Sequence, residues 1–284
     1  MPRLWPVLAA ALALAGCGHE ADWPPPKPAL WQVTGPGGQQ GWLFGTIHSL
    51  PDGVEWHTQP VDQAFSQSSV LVVEIANLSD TDAAAAAFRK LSTTPGLPPL
   101  TERVPPADRP QVAAFLAKAG LDDGAFPATE SWGAAMILAN RVRAADSGNG
   151  VDRALIARAR RVEGLETFES QYAVFDRLPP SAQAELLVGL AKDSASTSES
   201  AEERAWLTGD LAALQRQAAT GVLAYPDLRE PLQLARNRAW AARVAQLLAD
   251  RERPFVAVGE AHMFGDESLP ALLAARGYMV KRVE

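Results

Sequence analysis

The sequence predicts an α/β protein in which strands from both ends of the chain form one mixed sheet around a largely helical middle. Short apolar runs lie near both termini, and amphipathic or alanine-rich stretches lie between them. The 284 residues are 47% hydrophobic and 21% charged, which is typical of a folded globular protein. The formal net charge is −7, and no basic stripe alternates with aromatic residues, so no nucleic-acid partner is expected.

The first residues predict export and lipidation. Arg3 precedes an apolar run, Leu4 to Ala15, which is too short to span a bilayer comfortably. The run leads into Leu-Ala-Gly-Cys, ending at Cys17, the only cysteine of the chain. This pattern is typical of a bacterial lipobox, in which the thiol receives the lipid, although an ordinary signal peptide with an incidental cysteine is the alternative. Gly18, where an acidic residue would indicate inner-membrane retention, favours the outer membrane.

We therefore expect three segments. Residues 1–17 form a lipoprotein signal peptide, residues 18–28 form a proline-rich tether, and residues 29–284 form the folded domain. The lipid would be the only contact with the membrane, and the domain would face the periplasm. A single cysteine means that the domain must fold without an internal disulfide bond.

The first elements of the domain follow from turn residues and apolar runs. The predicted elements are a hairpin of 29–33 and 41–45 around a glycine-rich turn, a helix at 61–67, a strand at 69–75, and an alanine-rich helix capped by Ser79 or Asp80. The strand at 69–75 is the clearest of these, because it is a continuous run of β-branched and apolar residues.

The middle of the chain is predicted to be helical. The expected helices are 107–119, 129–145, 151–161, 170–177, 181–192, 201–208 and 211–220, with one short strand at 162–168. The serine-rich stretch 192–200 is expected to be an exposed loop. A long helix at 232–249, a strand at 255–258, a helix at 268–276 and a strand at 278–283 complete the chain.

Three polar residues follow or end apolar strands: His48, Glu74 and His262. The two histidines belong to matching Gly-x-x-His motifs, Gly45 to His48 and Gly259 to His262. Ligands in open α/β sheets collect outside the carboxyl ends of the strands. Two histidines and a carboxylate are a common ligand set for a catalytic divalent metal ion.

Glu260 is a candidate fourth ligand or general base beside this set. Each residue also has a structural alternative. Glu74 would pair with an arginine, His48 would donate to a backbone carbonyl, and Glu260 would face solvent or cap a helix.

The long helix predicts two further site residues. Trp240, Val244 and Leu247 share one face by their spacing, and Arg236 and Asn237 lie on the same stripe. A guanidinium and an amide that face the core need polar partners, because burial without them is costly. They would project into the site, where Arg236 would pair with Glu74 or bind an anionic transition state; the alternative is that both are exposed.

Together these motifs resemble the TraB/GumN family. The motifs that carry the resemblance are Gly-Thr-Ile-His, the Val-Val-Glu strand, Gly-Leu-Glu-Thr at 164–167 with Glu169 and Gln171, Arg236-Asn237, and Gly-Glu-Ala-His followed by Phe264-Gly265. The resemblance runs from about Leu30 to the C-terminus. Glu260 departs from it, since relatives more often have a small residue there.

The resemblance implies a function as well as a fold. The family is similar to Tiki-type metal-dependent proteases and, more remotely, to the erythromycin esterase/ChaN-like fold. By that similarity, His48, Glu74 and His262 would be metal ligands, with manganese or cobalt favoured over zinc, and Arg236 and Asn237 would bind the substrate. A peptide or a small envelope ligand is the expected partner. A protein that binds such a ligand in the same cleft without turnover is the alternative.

Overall fold

A computed structural model describes residues 23–47, 49–143, 150–195 and 199–284. Within them the protein forms a mixed sheet of six strands in the order β4-β3-β5-β2-β1-β6. The strands are β1 (Leu30–Thr34), β2 (Gln40–Thr46), β3 (Val70–Ile75), β4 (Val162–Glu166), β5 (Pro254–Gly259) and β6 (Met279–Arg282). Strands β4, β3, β5 and β2 run parallel, and β1 is antiparallel to both β2 and β6.

Helices connect and cover these strands. They are α1 (Gln59–Gln67), α2 (Thr81–Ser92), α3 (Arg109–Lys118), α4 (Ser131–Arg143), α5 (Val151–Arg158), α6 (Phe168–Asp176), α7 (Pro180–Ala195), α8 (Glu199–Leu207), α9 (Leu211–Ala218), α10 (Pro226–Arg229), α11 (Ala235–Ala249) and α12 (Leu269–Ala275). The predicted α/β class, the mixed sheet made by the two ends of the chain and the helical middle are confirmed.

Two predictions about local structure are wrong. The stretch at 192–200 is not one loop, because α7 continues to Ala195 and α8 begins at Glu199. The long helix begins before residue 232, because a π-helical turn (Glu230–Leu234) joins α10 to α11. Pro226 starts this continuous helical segment at a position where a missing N–H costs nothing.

The central strands β2, β3 and β5 are buried on both faces, as parallel strands inside a sheet require. Along β3, Leu71 and Val73 pack on one face against helices α1, α5 and α8. Val70 and Val72 pack on the opposite face against Trp240, Val244 and Leu247 of α11. Side chains alternate along a strand, so Glu74 points to the face that α11 covers.

The helical middle forms a separate core. Helices α3, α4 and α7 contribute most of its buried side chains, and Trp132 packs there against Phe88, Tyr172 and Phe175. A cavity of about 1100 Å³ lies between this helical core and the carboxyl ends of the parallel strands.

The described part of the predicted tether lies against the domain. Trp23 packs under the guanidinium of Arg204, and the Lys27 N–H donates to the Leu207 carbonyl at 2.7 Å. None of the described helices is long and apolar enough to cross a bilayer. Cys17 lies outside the described residues.

Candidate active site at the ends of the parallel strands

Four parallel strands end together at one edge of the sheet. In the register of the sheet, Thr46 lies opposite Gly259, and Ile75 lies opposite Glu166. Among the described residues, Glu74 and Glu166, which end β3 and β4, and His262, which follows β5, therefore lie at this edge, and each contacts Arg236.

Arg236 connects the carboxylates of this edge. Its Nε and Nη2 donate to the two oxygens of Glu166, each at 2.8 Å, and Nη2 also donates to Glu74 Oε2 at 2.6 Å. Its Nη1 donates to the Leu232 carbonyl at 3.0 Å and contacts His262 Nε2 at 3.5 Å. The guanidinium stacks over Trp240, and its N–H groups all point at acceptors of the protein itself.

The ion pairs in this cluster are mostly buried. The side chains of Glu74, Glu166 and Arg236 are 16%, 11% and 14% exposed. Burial by itself lowers the pKa of Arg236, but hydrogen bonds and attraction to Glu166 and Glu74 outweigh it, so the pKa of the guanidinium lies above its ordinary value. The guanidinium of Arg236 therefore carries its positive charge at neutral pH.

Glu74 is held by donors from three elements. Its Oε1 accepts the Gly259 N–H at 3.0 Å, and its Oε2 accepts from Arg236 and, at 3.1 Å, from Gln171 Nε2. Gln171 also donates to Glu166 Oε2 at 3.3 Å. The carboxylate is thus fixed in one orientation before any ligand arrives.

Asn237 fixes the imidazole of His262. Its Nδ2 donates to the Glu267 carbonyl at 2.8 Å, which turns Oδ1 towards His262 Nδ1 at 2.5 Å. An amide oxygen can only accept, so Nδ1 carries the proton and Nε2 carries the lone pair. Asn237 is fully buried, His262 is 5% exposed, and Trp240 packs against the ring at 4.5 Å between centroids.

Gly259 leaves space between the carboxylate and the imidazole. A Cβ added there would stand 3.4 Å from Glu74 Oε1 and 3.9 Å from His262 Cδ2. The backbone of Gly259, with φ −46° and ψ 138°, is one that alanine adopts without strain. The glycine is therefore not required by the conformation of the chain, and the space it leaves lies directly between two predicted site residues.

Glu260 lies next to this space. It begins the 3₁₀ turn Glu260–His262, and it lines the cavity together with Gln171. The turn is anchored by Gln233 Nε2, which donates to the Ala261 carbonyl. A Cβ on Gly45 would approach Glu260 Cα to 3.1 Å, so the first motif needs its glycine to let this turn pack closely.

His48 lies outside the described residues, although the chain that leads to it is well anchored. Trp206 Nε1 donates to the Gly45 carbonyl at 2.8 Å, and Thr46 Oγ1 donates to Asp152 Oδ1 at 2.7 Å. The Val151 N–H donates to the Ile47 carbonyl at 3.1 Å. The start of α5 therefore holds the segment just before His48.

The structure thus brings together Glu74, Arg236, Asn237 and His262, and it places Glu260 at the adjoining cavity. The sequence analysis named Glu166 and Gln171 only among the motifs of the family resemblance and not as site residues, although they complete the cluster. Glu166 ends β4 as Glu74 ends β3, so the same strand-end argument would have found it. Within the described residues, no group of three or more His, Cys, Asp or Glu side chains is arranged to hold a metal ion.

A family model decides the classification of the chain, since it matches residues 29–282. The chain belongs to the TraB/PrgY/gumN family. No curated protein and no solved structure matches the chain significantly. The similarity to the erythromycin esterase/ChaN-like fold stays a prediction.

Proposed function

We propose that this member of the TraB/PrgY/gumN family is a divalent-metal-dependent hydrolase of amide bonds. The observation that supports the proposal is the preorganised cluster of Glu74, Glu166, Arg236 and His262 at the shared strand ends. Burying such a cluster costs desolvation free energy, and clusters of this kind are common at functional sites. We further propose that a lipid on Cys17 tethers the domain to the periplasmic side of a bacterial outer membrane.

The residues of the site fit a divalent cation in three respects. Asn237 accepts from His262 Nδ1, which leaves the Nε2 lone pair as the ring's ligating position, and Nε2 now lies 3.5 Å from Arg236 Nη1, a contact that a bound cation would replace. The two carboxylates of Glu74 and Glu166 share one guanidinium, that of Arg236, which leaves this ion-paired group with a net negative charge. Gly259 keeps open the space between Glu74 and His262.

His262 and Glu74 would hold the cation together with His48, and manganese or cobalt is favoured over zinc. A bound cation supplies Lewis-acid chemistry at the substrate carbonyl. Glu260, which lines the cavity, is the candidate general base that would take a proton from the attacking water.

Arg236 and Asn237 act by positioning in this proposal. The donors of Arg236 are engaged by Glu166, Glu74 and Leu232, so its role is to fix Glu74 and not to contact the substrate. Asn237 uses both of its polar atoms on Glu267 and His262, so its role is to orient the imidazole. This replaces the direct contact with substrate that the resemblance implied for the pair.

A hydrolysis assay on residues 18–284 tests the proposal. The protein is stripped with a chelator, supplied with Mn²⁺ and incubated with a panel of peptides and simple N-acyl amides. We expect hydrolysis that needs the metal and that falls at least about 100-fold in Gly259→Ala, because the new methyl group occupies the space between Glu74 and His262.

Gly37→Ala in the hairpin turn is the matched control, since an added methyl group there meets only the side chain of Gln39. It should retain activity. Absence of metal-dependent hydrolysis with every substrate would contradict the proposal, as would full activity of Gly259→Ala.

A second candidate function is capture of a ligand without turnover. The observation in its favour is the cavity of about 1100 Å³, which is somewhat larger than most small-molecule sites. Tight binding of a small ligand with no hydrolysis in the presence of metal would favour this alternative.

A further inference from the structure

The cavity beside the strand ends has a wall that is mostly apolar. Its lining includes Phe88 of α2, Met136 and Ile137 of α4, Phe175 of α6 and Leu190 of α7. These side chains come from the helical core, and they leave the cavity open next to the polar cluster. Polar side chains that line it include Lys192, Asp193 and Ser194 near the end of α7 and Gln217 and Thr220 at and just beyond the end of α9.

The cavity reaches the polar cluster through two residues. Gln171 lines the cavity and donates to Glu74 and Glu166, while Glu260 lines the cavity next to Gly259. A ligand that filled the cavity would therefore present one end to the strand ends, where Glu74 and His262 lie.

The apolar wall restricts the kind of ligand that can fill the cavity. A polypeptide backbone inside would need hydrogen-bond partners for its N–H and C=O groups, and an apolar wall supplies few of them. An aliphatic chain has no such requirement, and each methylene group gains from leaving water. The wall thus favours an occupant that is polar only at the end near the strand ends.

We propose that this cavity receives the acyl chain of the substrate, so that the bond cleaved is the amide of an N-acylated amine. The inference rests on the proposed hydrolase function and adds the substrate class. In the reaction, water adds its oxygen to the acyl carbon, the C–N bond breaks, and the amine leaves with a proton from the water. The products are a free carboxylate, whose chain lies in the cavity, and an amine.

A chain-length series tests this proposal on residues 18–284. N-acyl glycinamides with 2 to 12 acyl carbons are titrated by calorimetry into chelator-treated protein, and turnover is then measured with Mn²⁺. We expect the dissociation constant to fall about 4-fold with each added methylene group, as ~0.8 kcal/mol per buried CH₂ predicts. The fall should stop once the chain fills the cavity.

Two variants on one helix sharpen the test. Ala85 lines the cavity, and its neighbour Ala86 is exposed and does not. Ala85→Phe should shorten the chain length at which affinity stops rising, whereas Ala86→Phe should match the wild type. If Ala85→Phe fails to fold, Ala139→Phe on α4 repeats the test, because Ala139 also lines the cavity.

The outcomes separate the inference from the function on which it rests. Affinity that does not change with chain length, or equal behaviour of Ala85→Phe and Ala86→Phe, would overturn the acyl cavity. Metal-dependent hydrolysis of short peptides with no gain from longer chains would also overturn it, while keeping the hydrolase. Binding that strengthens with chain length but gives no hydrolysis would support the cavity and overturn the hydrolase.

Discussion

Arg236 and Glu74 are the residues on which the cluster depends most. One guanidinium satisfies both oxygens of Glu166 and one oxygen of Glu74, at distances of 2.6 to 2.8 Å. Removing it would leave two largely buried carboxylates facing each other without a cation. Arg236 therefore does more than attract the two carboxylates. Without it, Glu74 and Glu166 would be buried charges that have lost their shared cationic partner.

The first prediction follows from this dependence. Arg236→Ala should lower the free energy of unfolding by about 3 kcal/mol, since it leaves buried charges unpaired. Arg238→Ala is the matched control on the same helix, because Arg238 pairs with Glu230 and Glu267 in an exposed position, and its loss should be small. Urea unfolding of both variants gives the comparison. Equal losses would show that the cluster is not an essential part of the fold.

At the level of single elements, α11 and the turns before it decide where the site residues point. The π turn Glu230–Leu234 adds a residue just before Arg236, and the Ala235 N–H donates to the Glu230 carbonyl. The spacing of Trp240, Val244 and Leu247 was enough to predict which face of α11 is buried. The π turn could not be predicted, because it depends on tertiary contacts such as that of Gln233 with Ala261.

Strand β4 shows a second limit of the sequence. Its residues Val162–Glu166 are all only partly buried, as expected for a strand at the edge of a sheet. A short strand with two glutamates and a glycine has a weak pattern, so Glu166 did not stand out as Glu74 did. The pairing of β4 with β3 depends on packing between segments that are distant in sequence. A local sequence pattern therefore does not predict it.

Helices α1 and α5 are joined by an ion pair with a defined pH dependence. Arg158 Nη2 donates to Asp62 Oδ1 at 2.8 Å, and His57 Nδ1 lies 3.4 Å from the same oxygen. Partial burial by itself raises the pKa of Asp62, but the hydrogen bond and the attraction to Arg158, with a contribution from His57, outweigh it and hold the pKa below the ordinary 3.8.

The second prediction concerns Asp62→Asn. A carboxylate with a lowered pKa stabilises the fold above its unfolded-state pKa, and this contribution is lost as the pH falls through the folded-state pKa. The variant should be less stable than the wild type at pH 7 by under ~1 kcal/mol, because both partners are more than a third exposed. The difference should shrink as the pH falls from 5 towards 3. A difference in unfolding free energy that is constant over this range would contradict the account.

In the whole molecule, the two ends of the chain depend on each other. Strand β5, from the last part of the chain, lies between β3 and β2, and β6 covers the outer edge of β1. The sequence predicted that strands from both ends share one sheet, because apolar runs occur at both ends and helical patterns lie between. The order of the strands was not predictable, since it depends on which buried faces fit together.

The third prediction tests this mutual dependence. A chain that ends at residue 250 lacks β5, so β2 and β3 lose their shared neighbour and expose their hydrogen-bonding edges. We expect it to show no cooperative thermal transition by circular dichroism and to aggregate. A chain of residues 23–284 is the control, which should unfold cooperatively. A cooperative transition in the shorter chain would mean that the N-terminal part folds alone.

Metal titration of chelator-treated protein, residues 18–284, is the measurement that decides whether His48, Glu74 and His262 act as one site. We expect about one Mn²⁺ per chain for the wild type and for His57→Ala, whose ring stacks on Trp56 and contacts Arg158 instead. His48→Ala and His262→Ala should each abolish binding, because two ligands cannot complete the coordination. Asn237→Ala should weaken binding roughly 10- to 100-fold, through loss of the imidazole's orientation. Stoichiometric Mn²⁺ in the His48→Ala, His262→Ala double variant would contradict the account.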